Sequence, residues 1–334
     1  MKEKQLSLFV FILIKFNDAM SNGGKSKMEK TQTTIIVLET EIGQRIDQFI
    51  AGKHPELSRS YVQKLIKDDK VIVNGKKIKS NYKLALNDEI MFSIPEPEEL
   101  NIEPENIPLD ILYEDSDIII INKGKNMVVH PAAGHYSGTI VNGLLYHCKG
   151  ELSGINGVLR PGIVHRIDRN TTGVIVICKN DIAHRCIAEQ LKEHSITRKY
   201  NAIVYNCINE IEGTVNAPIG RHPIERKKMA VNYQNGKPAV THYTVLENLG
   251  GKYSHVECQL ETGRTHQIRV HMASIHHPLV GDDIYGPSKN LFHLEGQALH
   301  ARVLGFIHPT TKKYVEFEAP LPDYFEKLLK RLRG

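Results

Sequence analysis

Residues 95–108 contain four prolines (Pro95, Pro97, Pro104, Pro108) and five glutamates (Glu96, Glu98, Glu99, Glu103, Glu105). Proline removes backbone donors and stiffens the chain, while like charges repel, so this stretch reads as a semi-rigid linker and divides the chain into separately folded bodies. Residues 43–94 lie before it, residues 109–334 after it, and residues 1–42 form an N-terminal extension. Residues 43–94 predict a small α+β module. Apolar residues recur at helical spacing over residues 46–50. Ser58 then precedes a second helical pattern carried by Val62, Leu65 and Ile66. The strand-like residues 71–73 run into Asn74 and Gly75, a strong hairpin signal, and residues 88–94 supply another short strand.

The module holds ten basic residues against six acids, so most of the chain's formal charge of +5 resides there. Such an excess suits a polyanionic partner, and it equally suits a solvated lysine-rich face. The order of Arg45-Ile46-Asp47, Leu57-Ser58-Arg59-Ser60, Val71-Ile72-Val73-Asn74-Gly75 and Asn87-Asp88-Glu89-Ile90 resembles the ribosomal-protein-S-four-like RNA-binding domain. The resemblance implies a short helix that offers cations to RNA phosphates, fixing position without reading sequence. Arg45, Arg59, Lys64 and Lys67 are the expected contacts.

Beyond the linker, short apolar runs at residues 118–121, 174–177, 202–205, 241–246 and 255–260 predict a mainly antiparallel mixed sheet with flanking helices. Asn180 or Asp181 can cap a helix that places Ile182, Cys186, Ile187 and Leu191 on one face. Residues 161–173 read Pro-Gly-Ile-Val-His-Arg-Ile-Asp-Arg-Asn-Thr-Thr-Gly, which sets Asp168 between two arginines in a polar turn before a buried strand. The turn admits two readings. Asp168 caps it, as Asp, Asn, Thr and Gly commonly do, or Asp168 is a rigidly held nucleophilic carboxylate.

The segment His165-Arg166-Ile167-Asp168-x-x-Thr171-Thr172-Gly173 closely resembles the signature of the RluA/RluD-type pseudouridine synthases, with Ile and Thr where Leu and Ser are usual. Arg198-Lys199-Tyr200 and Glu261-Thr262-Gly263-Arg264-Thr265-His266-Gln267-Ile268-Arg269-Val270-His271 are similar to two further blocks of that family, in the same order. The likeness spans about residues 40–330. It implies an α+β pseudouridine synthase catalytic domain that detaches uracil from C1′ of its ribose, turns it and rejoins it through C5. It further implies Asp168 as the nucleophile attacking C1′ through a glycal-type intermediate, Arg269 as its ion-pair partner, and Tyr200 as the ring beneath the uracil and acceptor of the C5 proton. Arg166 would enter the RNA stack as the uridine is extruded. Without the resemblance, Arg269 reads as a surface strand residue and Tyr200 as a core aromatic.

The chemistry implied needs no cofactor, and the sequence offers no metal motif. There is no His-Glu-x-x-His, His276 and His277 are adjacent, and five scattered cysteines form no Cys-x-x-Cys pair. They read as reduced cysteines of a cytoplasmic protein. Near the N-terminus, Gly24-Lys25-Ser26 lacks the earlier glycine of a phosphate loop, Ala19 standing in its place. The apolar run at residues 6–14 is too short to span a bilayer, and Met20 and Met28 are alternative starts. The first 28 or so residues are therefore expected to be disordered or absent from the native product. The expected partner is RNA, with large-subunit rRNA or an assembling ribosomal particle favoured and the protein acting as a monomer without a membrane. Competing readings are a tRNA pseudouridine synthase of the same family, a non-enzymatic RNA-binding assembly protein, and a glycosylase that releases free base.

Overall fold

The computed structural model describes residues 32–334, apart from residues 56, 94–101, 132–134, 158–159 and 226–227, and the chain divides between residues 99 and 100 into two units. In the first unit, in chain order, come β1 (Gln32–Ile36), α1 (Ile46–Lys53), α2 (Arg59–Lys67), β2 (Val71–Val73), β3 (Lys76–Lys77) and β4 (Glu89–Ser93). The strands pair antiparallel in the order β1-β4-β2-β3. Ser58 caps α2 by accepting the Tyr61 N–H at 3.2 Å. Asn74 and Gly75 both take positive φ, which matches the right-handed twist of the β2–β3 hairpin. Ile46, Phe49 and Ile50 of α1 and Val62, Leu65 and Ile66 of α2 bury against Val71, Val73, Ile90 and Phe92.

Two boundaries differ from the sequence reading. Residues 32–42, assigned to the extension, belong to the small unit, because β1 pairs with β4 along its whole length and Val37 is buried in the core. The expectations for the first 28 residues and for Gly24-Lys25-Ser26 lie outside the described residues. The linker also ends early. Ile102 is buried in a core of the second unit, Asn142 Nδ2 donates to Glu103 O at 2.9 Å, and the Gly138 N–H donates to the Glu105 carboxylate. Residues 94–101 lie outside the described residues.

The second unit runs β5 (Ile111–Glu114), β6 (Ile118–Lys123), α3 (Ile140–Cys148), β7 (Thr172–Cys178), α4 (Asp181–Lys192), β8 (Thr197–Tyr205) and β9 (Glu212–Asn216). It continues through β10 (Ile219–Arg221), β11 (Met229–Val231), β12 (Val240–Leu249), β13 (Tyr253–Leu260), α5 (Gln267–Ser274), β14 (Leu299–Ile307), β15 (Tyr314–Glu318) and α6 (Asp323–Arg333). Among the described residues the main sheet has nine strands, ordered β5-β6-β7-β14-β8-β13-β12-β9, with β15 on β14. Only β7–β14 is parallel among these pairs.

Every residue of β7 is buried, because helices cover both faces of the sheet there. Ile119, Ile121, Ile175 and Ile177 face the core that α3 covers, and Ile118, Ile120, Val174 and Val176 face the core that α4 covers. Asn180 caps α4, accepting the Ala183 N–H at 2.9 Å. The buried face of α4 is Ala183, His184 and Ile187; Ile182, expected among them, is 70% exposed, since the helix is rotated by about one residue from the expected stripe. The register aligns three residues across the sheet. Ala301 of β14 is opposite Gly173 of β7 on one side and Tyr200 of β8 on the other. A Cβ on Gly173 would meet the Ala301 carbonyl oxygen at 2.1 Å, and Gly173 has φ of +106°, so only glycine permits this close pairing.

Candidate active site

Asp168 lies in the loop that enters β7, and several independent contacts fix that loop. The Thr171 N–H donates to the Asp168 carbonyl at 3.0 Å, closing a turn. Gln297 Nε2 donates to Thr171 Oγ1 at 2.9 Å, and Thr172 Oγ1 bonds His300 Nδ1 at 2.9 Å. From below, the fully buried Lys123 at the end of β6 gives its three ammonium hydrogens to the carbonyls of Gly124, Met127 and Arg169, at 2.8, 3.0 and 2.9 Å. Burial pushes this ammonium down to about 7. Upstream, the Val176 N–H donates to His165 Nε2 at 3.1 Å, and burial lowers that imidazole to about 3, so it serves the loop as a neutral acceptor.

Arg269 is on helix α5 and is 4% exposed. Arg269 is therefore not the surface strand residue that it would be taken for without the resemblance: residues 267–274 turn helical after His266, which takes a left-handed φ of +57° at the N-cap. The guanidinium hydrogen-bonds two carboxylates, and a third, that of the exposed Asp283, lies 3.7 Å from Nη2. Its Nε and Nη2 donate to the Asp282 carboxylate at 2.6 and 2.8 Å, and its Nη1 donates to Asp168 Oδ2 at 3.0 Å. Burial opposes the cation, but the bonds to Asp282 and Asp168 outweigh it and hold Arg269 charged well beyond its ordinary range. Asp282 is itself held by the N–H groups of Ile284 and Tyr285, both at 3.0 Å. The arginine is thus clamped from behind and presents one edge to Asp168. Asp168 Oδ1 accepts no hydrogen bond among the described residues; 3.9 Å from it lies His266 Nε2.

Asp168, Tyr200 and Arg269 line one cleft of about 810 Å³, together with Arg166, Arg198 and His266. The sequence-predicted catalytic trio therefore converges. Tyr200 is 8% exposed and packs among Ala202, Leu260 and Ile268, so it is both a core aromatic and a cleft wall; burial raises its phenol. Arg166 is exposed at the cleft. His130 also lines it, while His271 is tied to Thr241 Oγ1 and Ala217 O at 2.9 Å each.

Four residues with no role assigned from sequence complete the site: Lys123, Arg198, His266 and Asp282. Arg198 is 6% exposed, donates from Nη2 to Glu261 O at 2.7 Å, and has no carboxylate partner among the described residues. Burial lowers it, and a Cβ on Gly263 would meet its Nη1 at 2.8 Å. The only sequence signal for Arg198 and His266 was membership in the same blocks as Tyr200 and Arg269.

In the first unit, Asp47 is fully buried and accepts from Arg45, Arg59 and Gln63, at 3.0 Å for each arginine Nε and 2.6 Å for the amide. Burial would raise its carboxyl, but these three donors outweigh that and hold it far below the usual carboxylate range. Lys64 and Lys67 are exposed on α2.

Residues 117–274 match the family model described as RNA pseudouridylate synthase, and residues 44–90 match the S4 domain. The chain is similar to the uncharacterized RNA pseudouridine synthase YlyB of Bacillus subtilis, at 52% identity over 90% of this chain and 98% of that protein. It is also similar to ribosomal large subunit pseudouridine synthase D of Zymomonas mobilis (46% identity, 89% of this chain and 96% of that one) and of Escherichia coli (43%, 92% and 96%). Among solved structures, human RNA Pseudouridylate Synthase Domain Containing 1 superposes with a TM-score of 0.52 at 26% identity, over 72% of this chain and 98% of that one.

Proposed function

This chain belongs to the RNA pseudouridine synthase family and carries an S4 domain, and from that premise we propose that it converts uridines of large-subunit ribosomal RNA to pseudouridine. The substrate class rests on the relatives named for the ribosomal large subunit. The observation that carries the residue assignment is the one-sided clamp on Asp168, a cleft residue whose Oδ2 is fixed at 3.0 Å by a buried arginine while its Oδ1 accepts no hydrogen bond among the described residues.

Asp168 attacks C1′ of the flipped nucleoside as the C1′–N1 bond breaks, and Arg269 keeps the acid ionised and aimed. The freed uracil turns on the face of Tyr200, and its C5 attacks C1′, closing the C1′–C5 bond as the Asp168–C1′ bond breaks and returns the carboxylate. The proton that C5 sheds is matched by the one N1 gains, so no atom or electron is left over. Tyr200, whose phenol burial raises, gives the base a surface to turn on and is the candidate acceptor for the C5 proton. Arg166, exposed beside the cleft, fills the stack that the extruded uridine leaves and offsets part of an unstacking cost of a few kcal/mol. Residues 43–94 dock on RNA phosphates, with Arg45, Arg59, Lys64 and Lys67 as the cations, and the protein acts as a cytoplasmic monomer. Among the described residues no helix is long and apolar enough to cross a membrane.

Carbodiimide mapping of rRNA and tRNA from cells with and without the gene tests this reading. Loss of particular pseudouridines from large-subunit rRNA is the expected result. Loss confined to tRNA, or release of free uracil in place of isomerisation, would remove the assignment.

A further inference from the structure

His266 has a second partner besides the space in front of Asp168. Its Nδ1 lies 2.8 Å from the Tyr285 hydroxyl, and that oxygen already accepts the Met229 N–H at 2.9 Å. A phenol oxygen so engaged directs its one proton to Nδ1, which leaves the ring proton of neutral His266 on Nε2. Burial favours the neutral ring. The ring is held at its Cα by the α5 N-cap and edge-on against Tyr285, with centroids 5.6 Å apart. Nε2–H therefore points into the cleft beside the acid, as a preset donor.

From Nε2 to Asp168 Oδ1 is 3.9 Å. That is too long for a hydrogen bond and too short for two intervening groups. It fits one hydroxyl, which would accept from Nε2–H and donate to the carboxylate at roughly 2.7–3.0 Å each. If Asp168 attacks C1′, the hydroxyl that arrives there with the substrate is the one on the neighbouring carbon.

We propose that His266 and Asp168 together form a receptor for the ribose 2′-hydroxyl, so that His266 is a specificity-determining residue that admits a ribonucleotide and disfavours a deoxyribonucleotide at the target position. This rests on the function proposed above. The placement also gives the sugar a second fixed point next to C1′, which restrains its rotation as the base departs.

The test is a double-mutant cycle between protein and substrate. The probe is a synthetic stem-loop RNA carrying a uridine located by the mapping, made with ribose or with 2′-deoxyribose at that one nucleotide, and pseudouridine formation is followed in single turnover. The parent should prefer the ribose form by more than about tenfold, since the hydroxyl makes a neutral bond to His266 and a charge-assisted one to Asp168. His266→Ala should lower that preference severalfold by slowing the ribose form while leaving the deoxyribose form within about twofold, the hydroxyl's bond to Asp168 accounting for what remains. His266→Gln, which can again place an N–H donor, should recover part of it. Equal slowing of both forms by His266→Ala would show that the histidine only supports the fold around Tyr285, and would overturn the proposal. So would an unchanged preference. A parent that forms no product from either probe would instead overturn the underlying function, and the receptor with it.

Discussion

The two units solve opposite electrostatic problems with the same two residue types. In the small unit one buried aspartate, Asp47, is shared by Arg45 and Arg59; in the large unit one buried arginine, Arg269, is shared by Asp168 and Asp282. Two cations on one acid leave a positive excess, and both arginine side chains are partly exposed, at 38% and 46%. The acids around the one cation leave a negative excess, and of the two that it hydrogen-bonds Asp168 is the more open, at 21% against 0% for Asp282, with the exposed Asp283 carboxylate 3.7 Å from the guanidinium. The first arrangement suits the phosphates of a nucleic acid, and the second suits attack on an electron-poor sugar carbon. The minority partner is buried in both cases, and it sets the sign of what remains outside.

The sharpest way to break this contrast is to remove the excess charge in the large unit. Asp168→Asn changes almost no volume, keeps an oxygen for Arg269 and should lower single-turnover product formation by more than about 100-fold, while RNA affinity stays within about twofold. Residual turnover above about one per cent would end the role given to Asp168.

Next in size is the central acid of the small unit. Asp47→Asn should cost about 2 kcal/mol of local stability at pH 7, the usual scale for hydrogen bonds to a charged group, read as faster hydrogen exchange in α1 and α2 of the full chain. The folded carboxyl titrates below its unfolded value of about 3.9, so its stabilisation is present above that pH and is lost as pH falls toward the folded value. The parent should thus lose protection in these helices below about pH 4, and the variant should lack that component. Equal acid sensitivity in parent and variant would refute the linkage.

The smallest effect concerns the exposed lysines of α2 beside that excess. Replacing Lys64 and Lys67 by Gln should weaken RNA binding severalfold and flatten the salt dependence by roughly 0.7–0.9 per lost phosphate contact, with no change in the chemical step. A slope identical to the parent's would identify these lysines as a solvated face.

Much of this was legible in the chain because its signals are local. Ser58, Asn180 and the Asn74-Gly75 pair act on their own backbone, and the structure places them as cap, cap and turn. Asp168 stood out because its turn abuts a strand buried on both faces. The clamp behind it was not readable. Asp282 follows Arg269 by 13 residues, and nothing local says that its carboxylate turns back to meet the guanidinium. The same holds for Lys123, whose hydrogens reach a carbonyl 46 residues away, and for His266, whose proton position depends on Tyr285. The linker was misjudged at its C-terminal end because proline and glutamate describe stiffness and charge, whereas the burial of Ile102 depends on a core assembled from distant strands. Ile182 was misplaced because an apolar stripe on so short a helix tolerates rotation by one residue.

Gly173, Ala301 and Tyr200 sit side by side on adjoining strands, which turns the breadth of the cleft into a lattice constant. Two ladder steps, about 10 Å in all at roughly 4.8 Å each, separate the strand leaving the acid's loop from the strand bearing the aromatic ring. A lattice constant changes only by whole strands, so substitution can alter the texture of this pocket but not its gauge. Selection among nucleotides must then be written in the side chains and loops around a mould of fixed bore.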